Sequence, residues 1–172
     1  MRNAFILVLT LIVLKCSNDS LVVNVVTVPE LFQNIKKNNS SRLVLLNVWS
    51  TSCIPCIEEF PYIVDLEKQY NHEDLDVIFL STDWDEKSVA VREFLLDSGV
   101  QGEHFRKNEE YNDQDFINEI CTAWSGALPF TGIYDENLIL LSHWEGKRDE
   151  AYFLKEIDSL LANKREQLGL KF

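Results

Sequence analysis

The stretch Leu43-Val44-Leu45-Leu46-Asn47-Val48-Trp49-Ser50-Thr51-Ser52-Cys53-Ile54-Pro55-Cys56 decides the fold. Its first half is a nearly continuous apolar run, the signature of a central β-strand covered on both faces. Its second half delivers two cysteines, spaced C-x-x-C, to the start of a helical pattern. Unpaired N–H groups and aligned peptide dipoles favour negative charge at a helix start, so Cys53 is expected to ionise more readily than a free thiol near pH 8.5. Cys56, one turn further on, is expected to be more buried and to resolve mixed disulfides formed by Cys53. Two other uses of such a pair fit less well. A structural zinc site needs four ligands, and Cys16, Cys121, His72, His104 and His143 supply no second C-x-x-C and no H-x-x-x-H. Two inert core cysteines would not call for a proline between them at a strand-to-helix turn.

On the N-terminal side, Leu21 to Val28 reads as a strand, and Pro29 opens a short helix to about Lys37 with Leu31, Phe32 and Ile35 on one face. Asn38-Asn39-Ser40-Ser41 reads as the turn that follows. On the C-terminal side, Ile57 to about Tyr70 is helical, with Pro61 inside it and expected to kink it. Val77 to Leu80 is a second buried strand ending at Ser81-Thr82-Asp83, and Lys87 to Asp97 an amphipathic helix (Val89, Val91, Phe94, Leu95) stopped by Gly99. Residues 100–128 are the least legible, with one helix suggested by Phe116, Ile117, Ile120 and Trp124. Phe130 to Tyr134 and Leu138 to Trp144, around Asp135-Glu136-Asn137, read as a β-hairpin. A last helix spans about Asp149 to Lys164. Strands alternating with helices argue for an α/β fold whose parallel strands are joined by right-handed crossovers.

The chain has 172 residues, 46% of them hydrophobic, enough for one domain with a core that needs no cysteine staples. Its formal charge of −12, without a Lys/Arg cluster or an aromatic–basic stripe, argues against nucleic acid as a partner. Arg2 precedes Ala4 to Leu14, eleven residues broken only by Thr10. This run reads as the core of an export signal, and it is short of the roughly twenty residues of a spanning helix. Cys16 follows, with Ser17 to Ser20 behind it as a polar tether. The expected organisation is a leader over 1–15, a tether over 16–20, a single domain over 21–163 and a tail over 164–172.

The run from Asn47 to Cys56, followed by Glu59-Phe60-Pro61, resembles the thioredoxin superfamily, and within it the exported TlpA/ResA-like thiol:disulfide oxidoreductases that serve cytochrome c maturation. The resemblance covers roughly residues 21–163. It implies a thioredoxin fold: a central mixed sheet flanked by helices, with an insertion between the second parallel strand and a cis-proline hairpin. Pro129 lies 46 positions after Asp83, and the segment between them would hold that insertion. It also implies a cis Leu128-Pro129 peptide facing the disulfide, a substrate groove lined by Leu128, Pro129, Ile54 and Pro55, and structural support from Pro61, from Trp49 in the core, and from Asn47, where cytosolic thioredoxins carry an aspartate. Glu59 matches an acidic residue near the cysteine pair, where a carboxylate beside a thiol couples the two titrations and can relay a proton to or from Cys56. Cys16 resembles the lipid-attachment cysteine of bacterial lipoproteins, although Lys15 stands where such signals carry a small residue. Ser52 and Ile54 depart from the family pattern.

By this reading Cys53, Cys56 and Glu59 carry thiol–disulfide exchange with no metal or organic cofactor. The partners are disulfide-containing protein substrates and a membrane or exported thiol reductant, outside the cytoplasm and at a membrane surface through the N-terminus. The resemblance and Pro55 point to a reductant. The rivals are a peroxiredoxin, for which Leu46 replaces a required proline, a copper-delivery module, which needs C-x-x-x-C, and a non-catalytic binding domain. Cys121 reads as a small buried hydrophobe.

Overall fold

The computed structural model describes residues 21–38 and 41–167. The proposed leader and tether, Cys16, the turn residues Asn39 and Ser40, and the end of the tail lie outside the described residues. Six strands form one mixed sheet in the order β1-β4-β3-β2-β5-β6. β1 (Val22–Val26), β4 (Glu103–Lys107), β3 (Leu75–Ser81) and β2 (Leu43–Trp49) run parallel, whereas β5 (Phe130–Asp135) and β6 (Leu140–Glu145) are antiparallel to their neighbours. The helices are α1 (Val28–Asn38), α2 (Ile54–Gln69), α3 (Ser88–Asp97), α4 (Asp113–Ile120) and α5 (Glu150–Gln167). This is the thioredoxin fold the resemblance implied, with α3, β4 and α4 between β3 and the hairpin.

β2 shows why the sheet sits where it does. All seven of its residues are buried, and successive side chains of a strand point to opposite faces. Leu43, Leu45 and Trp49 enter one core cluster with Phe60 and Ile63 of α2, Leu95 of α3 and Phe153 and Ile157 of α5. Val44, Leu46 and Val48 enter the other, with Leu31 and Ile35 of α1 and Phe116 and Ile120 of α4. Each such aliphatic side chain contributes about 1.5–3 kcal/mol on burial, so the strand can only be central. α1 begins one residue before Pro29, where Glu30 reaches back and its Oε2 accepts from both the Thr27 N–H and Thr27 Oγ1 at 2.8 Å, satisfying a donor at the helix start.

Several elements differ from the sequence reading. α2 starts at Ile54 rather than Ile57, which sets Cys53 as its cap. Val89 lies on the exposed side of α3, whose buried residues are Val91 and Leu95. β4, Glu-His-Phe-Arg-Lys, went unread because it carries four charged or titratable residues in five. It is nevertheless buried, since β1 and β3 flank it and its charges find partners: Arg106 with Asp85, and Lys107 with Asp113 at 2.9 Å. Trp124 lies past the end of α4 and packs on Phe116 and Phe130. Leu138 sits in the hairpin turn at φ 63° instead of in a strand, and α5 continues to Gln167.

Candidate active site

β2 ends at Trp49, and its neighbour β3 ends at Ser81, so both open at the same edge of the sheet. The Ser50–Ser52 turn closes there with the Cys53 N–H donating to the Ser50 carbonyl at 3.1 Å. Cys53 caps α2: its Sγ accepts from the Cys56 N–H at 3.3 Å. The two cysteines are joined in a disulfide with their Cα atoms 5.2 Å apart. Cys53 is half-buried, whereas Cys56 is 1% exposed. Ile54, 70% exposed, and the exposed Pro55 stand between them on the surface.

The antiparallel hairpin supplies the opposing wall. Val48 pairs with Phe130, so Leu128-Pro129 arrives beside the end of β2, and its peptide bond is cis. Pro129 is buried and its carbonyl accepts from the Gly146 N–H at 2.8 Å, while Leu128 is half-buried against both core clusters. Next to Leu128 a pocket of about 260 Å³ opens between the C-terminal ends of β3 and β4 and the α4 region, walled by Trp84, Phe116, Ile117 and Trp124 with Glu109 and Asp113 among its lining. Gly126 on its edge has φ +91°, and a Cβ there would come within 2.8 Å of Ile117 Cδ1.

Under the cysteine pair lies a carboxylic acid with no exposure at all. Glu59 faces inward from α2; Asn47 Nδ2 donates to its Oε1 at 3.1 Å and the Arg148 N–H donates to its Oε2 at 3.0 Å. Asn47 donates as well to Thr131 Oγ1 at 3.1 Å. Burial pushes the Glu59 carboxyl up to about 7, the hydrogen bonds from Arg148 and Asn47 offsetting only part of the effect. Its neighbour Glu58 points to solvent and pairs with Lys147 at 2.5 Å. Trp49 is fully buried, edge-on to Phe60 and tilted against Phe94. Pro61 lies within α2, on its exposed side, where it withdraws one helix N–H. Cys121 is buried and unbonded.

Two contributors escaped the sequence reading. The Arg148 contact is made by a main-chain N–H, which leaves no trace in residue identity. Asp83 binds the Ser50–Ser52 turn, and its one signal was its place just past the end of a buried strand. Among the described residues, no three His, Cys, Asp or Glu side chains group as metal ligands, and no helix is long and apolar enough to cross a membrane.

The Redoxin family profile matches residues 26–146. The thiol-disulfide oxidoreductase ResA of Bacillus thuringiensis (strain Al Hakam) is 35% identical over 65 residues, 38% of this chain and 36% of that protein; the ResA of Bacillus subtilis (strain 168) is 33% identical over 57 residues, 33% of this chain and 31% of that protein. The chain thus spans about a third of the length of these relatives. Among solved structures, a thioredoxin-related protein from Neisseria meningitidis serogroup B superposes with a TM-score of 0.61 at 20% identity, over 73% of this chain and 90% of its own. With the profile covering most of the described domain, and with that solved structure sharing the fold over 73% of the chain, the chain belongs to the Redoxin family.

Proposed function

We propose that the protein is a thiol:disulfide oxidoreductase that reduces disulfides of exported proteins. The observation that carries this reading is the Cys53–Cys56 disulfide at the start of α2, set beside a cis-proline wall and above a buried acid. In the reduced form, the Cys53 thiolate attacks one sulfur of a substrate disulfide, forming a mixed disulfide and expelling the other substrate sulfur as a thiolate. Cys56 then loses its proton and attacks Cys53, releasing the second substrate thiol and regenerating the intramolecular disulfide. Two electrons pass to the substrate, and a dithiol partner returns them in a second exchange.

The difference in exposure between the cysteines supports their division of labour: Cys53 is open to a partner and Cys56 is shielded. Glu59 serves as the proton relay for Cys56, since a carboxyl titrating near 7 can accept and return a proton at working pH. The substrate chain lies over Ile54, Pro55 and Leu128, and the adjacent pocket at Trp84 receives one of its side chains. We further propose export through residues 1–15, attachment to a membrane surface through Cys16, and service in cytochrome c maturation, the role implied by the resemblance of the run from Asn47 to Cys56.

The test is reduction of insulin disulfides by the dithiol form. Wild type and dithiothreitol should precipitate the insulin B chain far faster than dithiothreitol alone, and Cys53→Ser should abolish the difference. Cys56→Ser should instead accumulate mixed disulfides in the native compartment, and the captured protein names the substrate. Equal rates for wild type and Cys53→Ser would sink the reading.

A further inference from the structure

The turn that carries the nucleophile is tied to a carboxylate that the exchange steps do not use. Asp83 lies two residues past the end of β3 and is only 7% exposed. Its Oδ2 accepts from the Thr51 N–H at 2.8 Å and from Ser81 Oγ at 2.7 Å. Its Oδ1 accepts from Thr51 Oγ1 at 2.7 Å and, at 3.4 Å, from Ser50 Oγ. Four donors fill the roughly four acceptor sites of a carboxylate. Three of them belong to the Ser50–Ser52 turn, which in turn holds the Cys53 N–H.

An anchor alone could be built from any acceptor, whereas a carboxylate brings a charge. Thr51 is two residues from Cys53, which puts that charge within roughly 10 Å of the nucleophilic residue. The buried Arg106 guanidinium behind it donates to the Asp83 carbonyl at 3.2 Å, but its ion pair is with Asp85. Other ionisable groups of this region are themselves paired or bonded: Glu59 beneath α2 accepts from the Arg148 N–H, Glu58 on α2 pairs with Lys147, and Lys107, which lines the same pocket as Asp83, pairs with Asp113.

We propose that Asp83 is a positioning residue for Cys53 that also sets the redox poise of the pair. Its hydrogen bonds fix the turn at the head of α2, and its negative charge makes the Cys53 thiolate more costly. A costlier thiolate destabilises the dithiol form, so the pair gives up its electrons more readily, the property a reductant requires. The proposal deepens the exchange reading above and rests on it.

Asp83→Asn in the full chain tests it. The readouts are the Cys53 thiolate titration, followed by ultraviolet absorbance in the dithiol form, and the equilibrium with reduced and oxidised glutathione. Removal of the charge should lower the Cys53 titration midpoint and raise the thiolate fraction at pH values below that midpoint about threefold or more; at pH values above it, where the thiolate prevails, the glutathione equilibrium should shift toward the dithiol by the same factor as the midpoint. Asp83→Glu, which restores the charge, should return both values toward wild type. Should Asp83→Asn fail to fold, Ser81→Ala reads the same effect in the opposite sense: it removes one compensating donor, keeps the charge, and should raise the midpoint. Unchanged titration and equilibrium in the folded variants, even with slower insulin reduction, would reduce Asp83 to a structural anchor and overturn the proposal. A wild type that exchanges with neither glutathione nor insulin would instead overturn the function on which it rests, and the proposal with it.

Discussion

Replacing Glu59 by glutamine should convert a pH-dependent stability cost into a pH-independent one. In the folded chain the carboxyl titrates near 7, against an ordinary value of 4.5. Its folded value is raised, so its contribution is intact below the unfolded value and is lost as pH rises through about 7. From these two values, ionisation of Glu59 should remove roughly 2.5 kcal/mol of stability between pH 5 and pH 8. Glutamine carries no such term. Its amide does turn an N–H donor toward Asn47 or the Arg148 N–H, at a cost of about 1–3 kcal/mol that does not vary with pH. The assay is therefore urea unfolding of oxidised wild type and variant at a series of pH values, read as the difference between the two curves. Glu67, also pushed up to about 7 by burial and by Asp76, and the buried His104 affect both proteins and cancel in that difference. Wild type should lose about 2.5 kcal/mol relative to the variant over this range. The same substitution should slow insulin reduction by about a hundredfold, the lower end of what a positioned general base supplies, and erase a pH inflection near 7. A stability gap that stays flat from pH 5 to pH 8 would refute the reasoning, because Glu59 would then titrate as a solvated acid.

Three further outcomes follow from other parts of the fold. His104, 2% exposed, accepts from the Phe79 N–H at Nδ1 and donates from Nε2 to the Gln101 carbonyl, and burial lowers it to about 4 from 6.5. A depressed folded value means stability is lost as pH falls from about 6.5 to 4, by about 3 kcal/mol in all, and acid unfolding of His104→Leu should lack that component. Gly126→Ala should lose about 1–3 kcal/mol in urea unfolding, because its φ of +91° is strained for any L side chain and the new Cβ presses on Ile117. In the dithiol form, iodoacetamide should label Cys53 well before Cys56, as read by mass spectrometry of peptides; equal rates would contradict the assigned roles.

The sequence was most legible where one physical signal dominated. The apolar run of β2, the C-x-x-C at the strand-to-helix turn and the proline before the hairpin each carry a period or a residue that few other structures accommodate. β4 hid because its side chains obey partners rather than a hydrophobic period: Arg106 and Lys107 are buried by virtue of Asp85 and Asp113, which no local pattern announces. Val89 went wrong for the opposite reason, an apolar residue exposed near the start of a helix whose burial is set by what packs on it. Within the site, Glu59 and Asn47 were readable through resemblance, but their mutual hydrogen bond joins α2 to β2 and is purely tertiary. Asp83 was read as the end of a strand. Its role appears only when β2 and β3 are laid in register and their ends meet.

The central claim is that Cys53 and Cys56 form a reversible two-electron couple poised to reduce other disulfides. Equilibrating the purified protein across ratios of oxidised to reduced dithiothreitol and glutathione, then trapping with an alkylating agent and weighing the products, measures it directly. The account predicts a single interconversion of disulfide and dithiol at Cys53 and Cys56, with a midpoint well below about −200 mV. A midpoint near −120 mV, in the range of strong oxidants, would reverse the proposed direction, and the absence of any reversible interconversion would contradict the account outright.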